Sequence, residues 1–213
     1  MKFPAMTVSK RDPRLKAETA YLGELARRAG ESLGSELVGV YAGGSFALGG
    51  YEPGRSDLDV AVVIESALLA DQRRLLVERL RHEAMPCPAS ELELVAYRLS
   101  TVRSGSATRD FELNLNTGEG IPLLIEVGPE AGGPTFWFPI DRSILAQAGV
   151  AVLGPPAQEV FAPIPVEELR PVLEEANRWH REDPDGGSDA AADLARAERF
   201  LRDGRWVTKR EAL

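Results

Sequence analysis

From Leu15 onward, Leu22, Leu25, Ala26, Ala29 and Leu33 recur at helical spacing until Gly34 stops the run, with Asp12 as N-cap and Pro13 in the first turn. This predicts an amphipathic opening helix. The period then changes: residues 37–42 are a short, apolar, β-rich run leading into Gly43-Gly44-Ser45 and the small-residue segment 46–50, which reads as strand, glycine turn and short helix. Asp57 and Asp59 stand at the mouth of a second apolar strand, residues 60–64. Residues 66–83 predict a helix capped by Ser66, with Leu68, Leu69, Leu75, Leu76 and Leu80 on its buried side. Over 91–99, alternation puts Glu91, Glu93, Val95 and Tyr97 on one face of a strand and Leu92, Leu94 and Ala96 on the other. Two further strands are predicted over 110–116, where Phe111, Leu113 and Leu115 alternate with Glu112, Asn114 and Asn116, and over 121–127; a loop follows over 128–134. Residues 140–148 predict a helix ended by Gly149, and Gly154-Pro155-Pro156 marks the domain boundary. Beyond it the pattern is helical, over 166–180 and 189–202, with the acidic loop 182–187 between.

The 213 residues suffice for one large domain or a domain with a smaller companion. With 25 Lys and Arg against 33 Asp and Glu the formal charge is −8, which lacks the basic footprint of a general nucleic-acid binder, so nucleic acid is not an expected partner. The longest uncharged stretch, 143–158, is broken by Gln147, Gly149, Gly154, Pro155 and Pro156, so no membrane span is expected. The N-terminal residues show no apolar core followed by a cleavage site, and a cytoplasmic location is the expectation. Cys87 is the only cysteine, and His82 and His180 are the only histidines. A Cys/His zinc site is therefore implausible, and any acting metal must be held by oxygen ligands, which favours magnesium.

The chemistry concentrates in Gly43-Gly44-Ser45 and, twelve residues after the serine, Asp57-Leu58-Asp59. Two aspartates spaced by two at a strand project from one face and can converge on the same cation. Magnesium uses such pairs, keeping waters and filling its remaining positions with substrate phosphate oxygens. Gly43 and Gly44 let the backbone approach a triphosphate, while the following short helix would aim its first amides, and the Ser45 hydroxyl, at anionic oxygens. Asp59 sits among Leu58, Val60, Ala61, Val62 and Val63, where an unpaired carboxylate is costly to bury. These parts suit phosphoryl or nucleotidyl transfer.

They resemble the polymerase-β-type nucleotidyltransferases, whose signature is Gly-Ser, about ten residues, then Asp-x-Asp on the next strand. Within that superfamily the likeness is to the aminoglycoside adenylyltransferases that inactivate streptomycin and spectinomycin. Leu92-Glu93-Leu94-Val95 looks like the family strand carrying a third acidic residue, residues 111–116 like its next strand, and residues 149–156 like its connector. Leu194-Ala195-Arg196 and residues 203–212 look like its C-terminal pattern. The resemblance implies an α+β (mixed α/β) fold: a nucleotidyltransferase domain over 1–156, with a small mixed sheet flanked by helices, then a short helical domain over 157–213. It implies that Asp57 and Asp59 bind magnesium, that Gly44 and Ser45 contact the nucleotide phosphates, that Glu93 is the catalytic base, and that Arg196 and Lys209 hold the triphosphate of ATP. Glu91 shares a face with Glu93, so either could be the base. The reaction would be attack by an antibiotic hydroxyl on the α-phosphorus of ATP, releasing pyrophosphate.

Between Glu167 and Asp193, nine acidic residues stand against three arginines, a wall that would attract a polycationic acceptor, with Trp179 offering a flat surface to a sugar; a solvated helix face is the equal alternative. The resembling family continues for several helical turns beyond the lysine segment, so the bundle is expected to be shortened. Its site would then close with fewer groups, borrow surface from a partner subunit as in a homodimer, or be inactive. A protein or RNA acceptor, or a nucleotide-binding module of toxin–antitoxin type without turnover, are the alternative functions.

Overall fold

The computed structural model describes residues 13–129, 133–182 and 190–213. Asp12, the expected first N-cap, lies outside the described residues, as does most of the acidic loop.

Helix α1 (Lys16–Leu33) ends at Gly34, whose φ of +59° suits glycine. Strand β1 (Leu37–Ala42) leads directly into the short helix α2 (Gly44–Leu48), and β2 (Leu58–Ile64) follows, with Asp57 immediately before it. Helix α3 (Ala70–Leu80) is shorter than its pattern suggested. Ser66 does not cap it: Glu112 Oε2 accepts the Leu68 N–H and Gln72 Oε1 accepts the Leu69 N–H, so the chain turns there and Leu69, expected inside, is 68% exposed. Strand β3 (Leu92–Arg98) and α4 (Leu99–Arg103) precede the hairpin of β4 (Leu113–Gly118) and β5 (Ile121–Glu126). Because β4 begins at Leu113 rather than 110, Phe111 escapes the expected alternation and packs on the opposite face from Leu113 and Leu115. The predicted strand 121–127 forms, but as an exposed edge.

Helix α5 (Trp137–Ala148), β6 (Val150–Leu153) and α6 (Ala157–Val160) connect to α7 (Val166–Glu182), α8 (Ala190–Asp203) and the short α9 (Lys209–Ala212). The sheet order is β5-β4-β3-β2-β1-β6, with β2 and β3 parallel and the other pairs antiparallel. The mixed sheet flanked by helices is thus as expected, and within the connector over 149–156 residues 150–153 add its last strand.

Period-2 alternation gives the sheet two different faces. Val60, Val62, Leu92, Leu94, Leu113 and Leu115 pack with Leu22, Leu25 and Leu76 from α1 and α3. On the other face Ala61, Val63, Val95 and Tyr97 pack with Phe138 and Leu145 of α5 and with Val160 and Phe161. A third core joins Phe136, Ile140 and Ile144 to Leu169, Leu173, Ala197, Phe200 and Trp206. Helix α5 therefore contributes one side to the sheet and another to the C-terminal helices. The chain after α8 is locked to it: Gln147 exchanges two hydrogen bonds with the Trp206 backbone, at 2.7 and 2.9 Å, and the Trp206 indole donates to Ser143 Oγ at 2.9 Å.

Arg142 is 2% exposed and donates to the carbonyls of Thr101, Ser106 and Thr108, fixing the segment between α4 and β4. Replacement by leucine strands those carbonyls without donors. We expect Arg142→Leu to lose about 3 kcal/mol of unfolding free energy in urea titration, given about 1–3 kcal/mol for a buried unsatisfied group; a loss under about 0.5 kcal/mol would show that water replaces the guanidinium.

Candidate active site

Strands β2, β3 and β4, helix α5 and the C-terminal helices together line a cavity of about 1090 Å³. Sequence order puts its key groups there. The parallel register of β2 and β3 sets Asp59 directly beside Glu93, and the next pairing sets Glu93 beside Asn116 of β4. Paired residues share a face, so all three line the cavity. Asn114 lies on the same face and donates to Glu126 Oε2 at 2.8 Å.

The glycine turn closes over Asp59. The Gly43 N–H donates to the Asp59 carbonyl at 2.8 Å, and Gly44 adopts a φ of +46°. A Cβ on Gly44 would lie 1.7 Å from Asp59 Oδ2, so only glycine brings the backbone down onto this carboxylate. Ser45 follows in the first turn of α2, with its Oγ enclosed and without a hydrogen-bond partner at the cavity wall. Gly44, Ser45, Asp57, Asp59 and Glu93 are thus brought together as the sequence suggested. Glu91 precedes β3 and is absent from the cavity lining.

From the other side, Arg196 of α8 and Lys209 at the start of α9 also reach the cavity. Both engage Asp193, Lys209 Nζ at 3.2 Å and the Arg196 guanidinium at 4.0 Å, and Arg196 sits over the Trp206 ring at 5.9 Å. The carboxylates opposite them compete for few counter-charges. Enclosure, then the charge of Asp57, pushes the Asp59 carboxyl up to about 7, against the pull of Arg196 and Lys209. Glu93 is pushed well above the usual carboxylate range by desolvation, then by Asp59 and Asp57.

Sequence reasoning missed Asp141. It lies on α5 and lines the cavity, and desolvation followed by Asp59 raises its carboxyl well above the ordinary range. The only available signal was one acidic residue on the inward stripe formed by Phe138, Ile144 and Leu145. Conversely, the acidic wall does not form among the described residues. Glu167, Glu168, Glu174 and Glu182 are exposed, Glu175 is held by Arg109, and of the run only Asp193 reaches the cavity. Leu173, Ala176, Asn177 and His180 form the α7 side instead. Asp183, Asp185 and Asp189 lie outside the described residues. Trp179 packs against Phe136, Trp137 and His180, and it is Trp137 and His180 that line the cavity.

Among the described residues no helix is long and apolar enough to cross a membrane. Residues 24–98, which contain the glycine turn, Asp57, Asp59 and Glu93, match the family model of the nucleotidyltransferase domain. No curated protein gives a significant match. Among solved structures, the spectinomycin adenyltransferase AAD(9) from Enterococcus faecialis, determined with ATP and spectinomycin, superposes with a TM-score of 0.68 at 16% identity, covering 92% of this chain and 79% of that one. A toxin–antitoxin structure with AMP-PNP gives a TM-score of 0.35 at 15% identity, covering 77% of this chain and 90% of that one, too low a score to inform the fold. Residues 24–98 therefore match a nucleotidyltransferase domain, and the chain has the fold of spectinomycin adenyltransferase.

Proposed function

We propose that the protein transfers AMP from ATP, with magnesium, to a hydroxyl of an aminoglycoside or aminocyclitol and releases pyrophosphate. The observation that carries this reading is the in-register pair Asp59 and Glu93 beneath the glycine turn, facing Arg196 and Lys209 across one cavity. The shared fold with an adenyltransferase solved with ATP and spectinomycin supports it. In this reading residues 1–156 form the nucleotidyltransferase domain and 157–213 the helical domain that closes over the triphosphate.

The residues fit a magnesium ion. Asp57 and Asp59 give an all-oxygen pair, and two carboxylates with water and phosphate oxygens satisfy magnesium without a full protein cage. When bound, magnesium neutralises charge on the phosphates of ATP and on the departing pyrophosphate. Ser45 Oγ, enclosed and unpartnered, donates to a phosphate oxygen, and Gly44 lets the backbone approach it. Glu93 takes the proton from the acceptor hydroxyl as its oxygen bonds to the α-phosphorus and the bond to pyrophosphate breaks. Arg196 and Lys209, both positioned by Asp193, hold the triphosphate and stabilise the leaving pyrophosphate.

The test is pyrophosphate release from ATP, magnesium and a panel including spectinomycin and streptomycin; normal ATP binding with no release on any acceptor would overturn the reading. Glu93→Gln should lower kcat by about 10²–10⁴, the usual contribution of a positioned base. Glu91→Gln, outside the cavity lining, should change kcat by less than about threefold; the reverse ranking would exchange their roles.

A further inference from the structure

Of the acidic residues that line the cavity, four act on one another electrostatically: Asp57, Asp59, Glu93 and Asp141. Two of them suit magnesium and Glu93 suits the base, so Asp141 is left over. Magnesium takes one or two protein carboxylates beside water and phosphate oxygens, which Asp57 and Asp59 already supply, so it does not require Asp141. Its setting is unusual for a structural aspartate. On α5 it stands between Phe138 and Leu145, which face the sheet, and Ile140 and Ile144, which face the C-terminal helices. The side chain therefore points into the seam between the two layers. Such a charge is costly to hold there unless something pairs with it.

Among the described residues no side chain pairs with it directly. The Asp141 carboxylate makes no hydrogen bond or ion pair among the described residues. The two cations within electrostatic range, Arg196 and Arg142, offset its charge only in part: Arg142 gives its terminal nitrogens to the carbonyls of Thr101, Ser106 and Thr108, Arg196 reaches Asp193 at 4.0 Å, and neither donates a hydrogen bond to Asp141. A second unsatisfied group lines the same cavity. Tyr97 is 1% exposed, lines the cavity from β3, and has a hydroxyl with no hydrogen-bond partner, within the electrostatic influence of Asp141. A carboxylate and a buried hydroxyl, both unpaired, are complementary to a cation with several N–H donors. Glu93 is within reach of the same charge, so the cation would enter beside the hydroxyl that reacts.

We propose that Asp141, with the Tyr97 hydroxyl beside it, holds a protonated amino group of the acceptor. Two ammonium N–H groups donate, one to the Asp141 carboxylate and one to the Tyr97 oxygen, and the hydroxyl presented to Glu93 lies on the same ring system. This rests on the proposed adenylyl transfer and narrows it: the acceptor carries its amine close to the reacting hydroxyl, and its cationic recognition comes from α5 and β3 rather than from the acidic face of α7.

The test is calorimetric titration of spectinomycin and its N-acetylated derivative into protein saturated with magnesium and AMP-PNP. Wild type should bind the free amine at least about tenfold more tightly, the scale of one charge-assisted contact. Asp141→Asn should reduce that preference to about twofold by weakening spectinomycin alone, and Tyr97→Phe should reduce it partly, with affinity for the magnesium nucleotide unchanged in both. The inference falls if wild type binds or adenylylates both forms equally, or if Asp141→Asn retains the preference or loses nucleotide affinity instead, which would place Asp141 with the metal. Wild type that binds the nucleotide but no amine-bearing acceptor of the panel removes the proposed function and this inference together.

Discussion

Asp59→Asn is expected to melt several degrees above wild type in magnesium-free buffer at pH 8 and to turn over no acceptor. Asp59 is enclosed beside Asp57, and its folded-state pKa of about 7 lies above the ordinary aspartate value. As pH rises from about 4 to 7, the unfolded chain ionises this group while the folded protein retains its proton, so stability falls through that window and stays low above it. At about 1.4 kcal/mol per pKa unit the penalty at pH 8 is on the order of 4 kcal/mol, or roughly 8–16 °C for a chain of this size. Asparagine keeps the shape and removes the charge. The wild-type melting temperature should rise on adding magnesium at pH 8 and little at pH 5; the variant should show no such increment. Scanning fluorimetry with and without magnesium checks this, and a variant that melts lower than wild type at pH 8 would mean that Asp59 is already compensated without a metal.

Gly44→Ala should lower turnover by at least about 100-fold, since an ångström-scale misplacement of a reacting group costs about that much. The added methyl carbon would stand 1.7 Å from Asp59 Oδ2 and 2.4 Å from its Cγ, and the backbone φ of +46° resists alanine as well. Either the turn lifts from β2 or the carboxylate swings away, and both outcomes separate the phosphate cradle from the metal ligand. Gly34→Ala is the matched control. Its φ is +59°, but nothing lies within 4 Å of the new Cβ and it caps α1 away from the cavity. It should cost about 1 kcal/mol of stability and leave turnover intact. Steady-state rates and melting temperatures of the two variants separate the steric effect from the backbone one; equal activity losses would mean that left-handed strain alone explains Gly44.

The candidate site was legible where a local pattern carried it. The apolar run ending in Gly43-Gly44-Ser45 and the aspartates entering β2 are short-range features, and alternation alone put Glu93 on the face opposite Leu92 and Leu94. The α7 surface was misjudged for a related reason. Counting charges between Glu167 and Asp193 reports how acidic the segment is, but the direction of Glu167, Glu168 and Glu174 depends on which stripe of α7 is buried, and Leu169, Val172, Leu173 and Ala176 supply that stripe. Leu69 and Phe111 failed at element ends, where one hydrogen bond from Glu112 or a later strand start outweighs periodicity.

The sequence by itself determined the elements and the face each residue occupies, because helical and strand periods are set by backbone geometry within a few residues. It therefore determined that Asp59 and Glu93 each point away from the α1 and α3 core. Only the tertiary structure decided that they stand side by side, since strand order and register are settled by pairing over more than thirty residues of chain. It also decided that Arg196 and Lys209 meet at Asp193, and that Asp141 enters the same cavity. Those contacts depend on α5 packing against two layers at once and on Gln147 and Ser143 locking Trp206 to it, interactions between distant segments that no local period encodes.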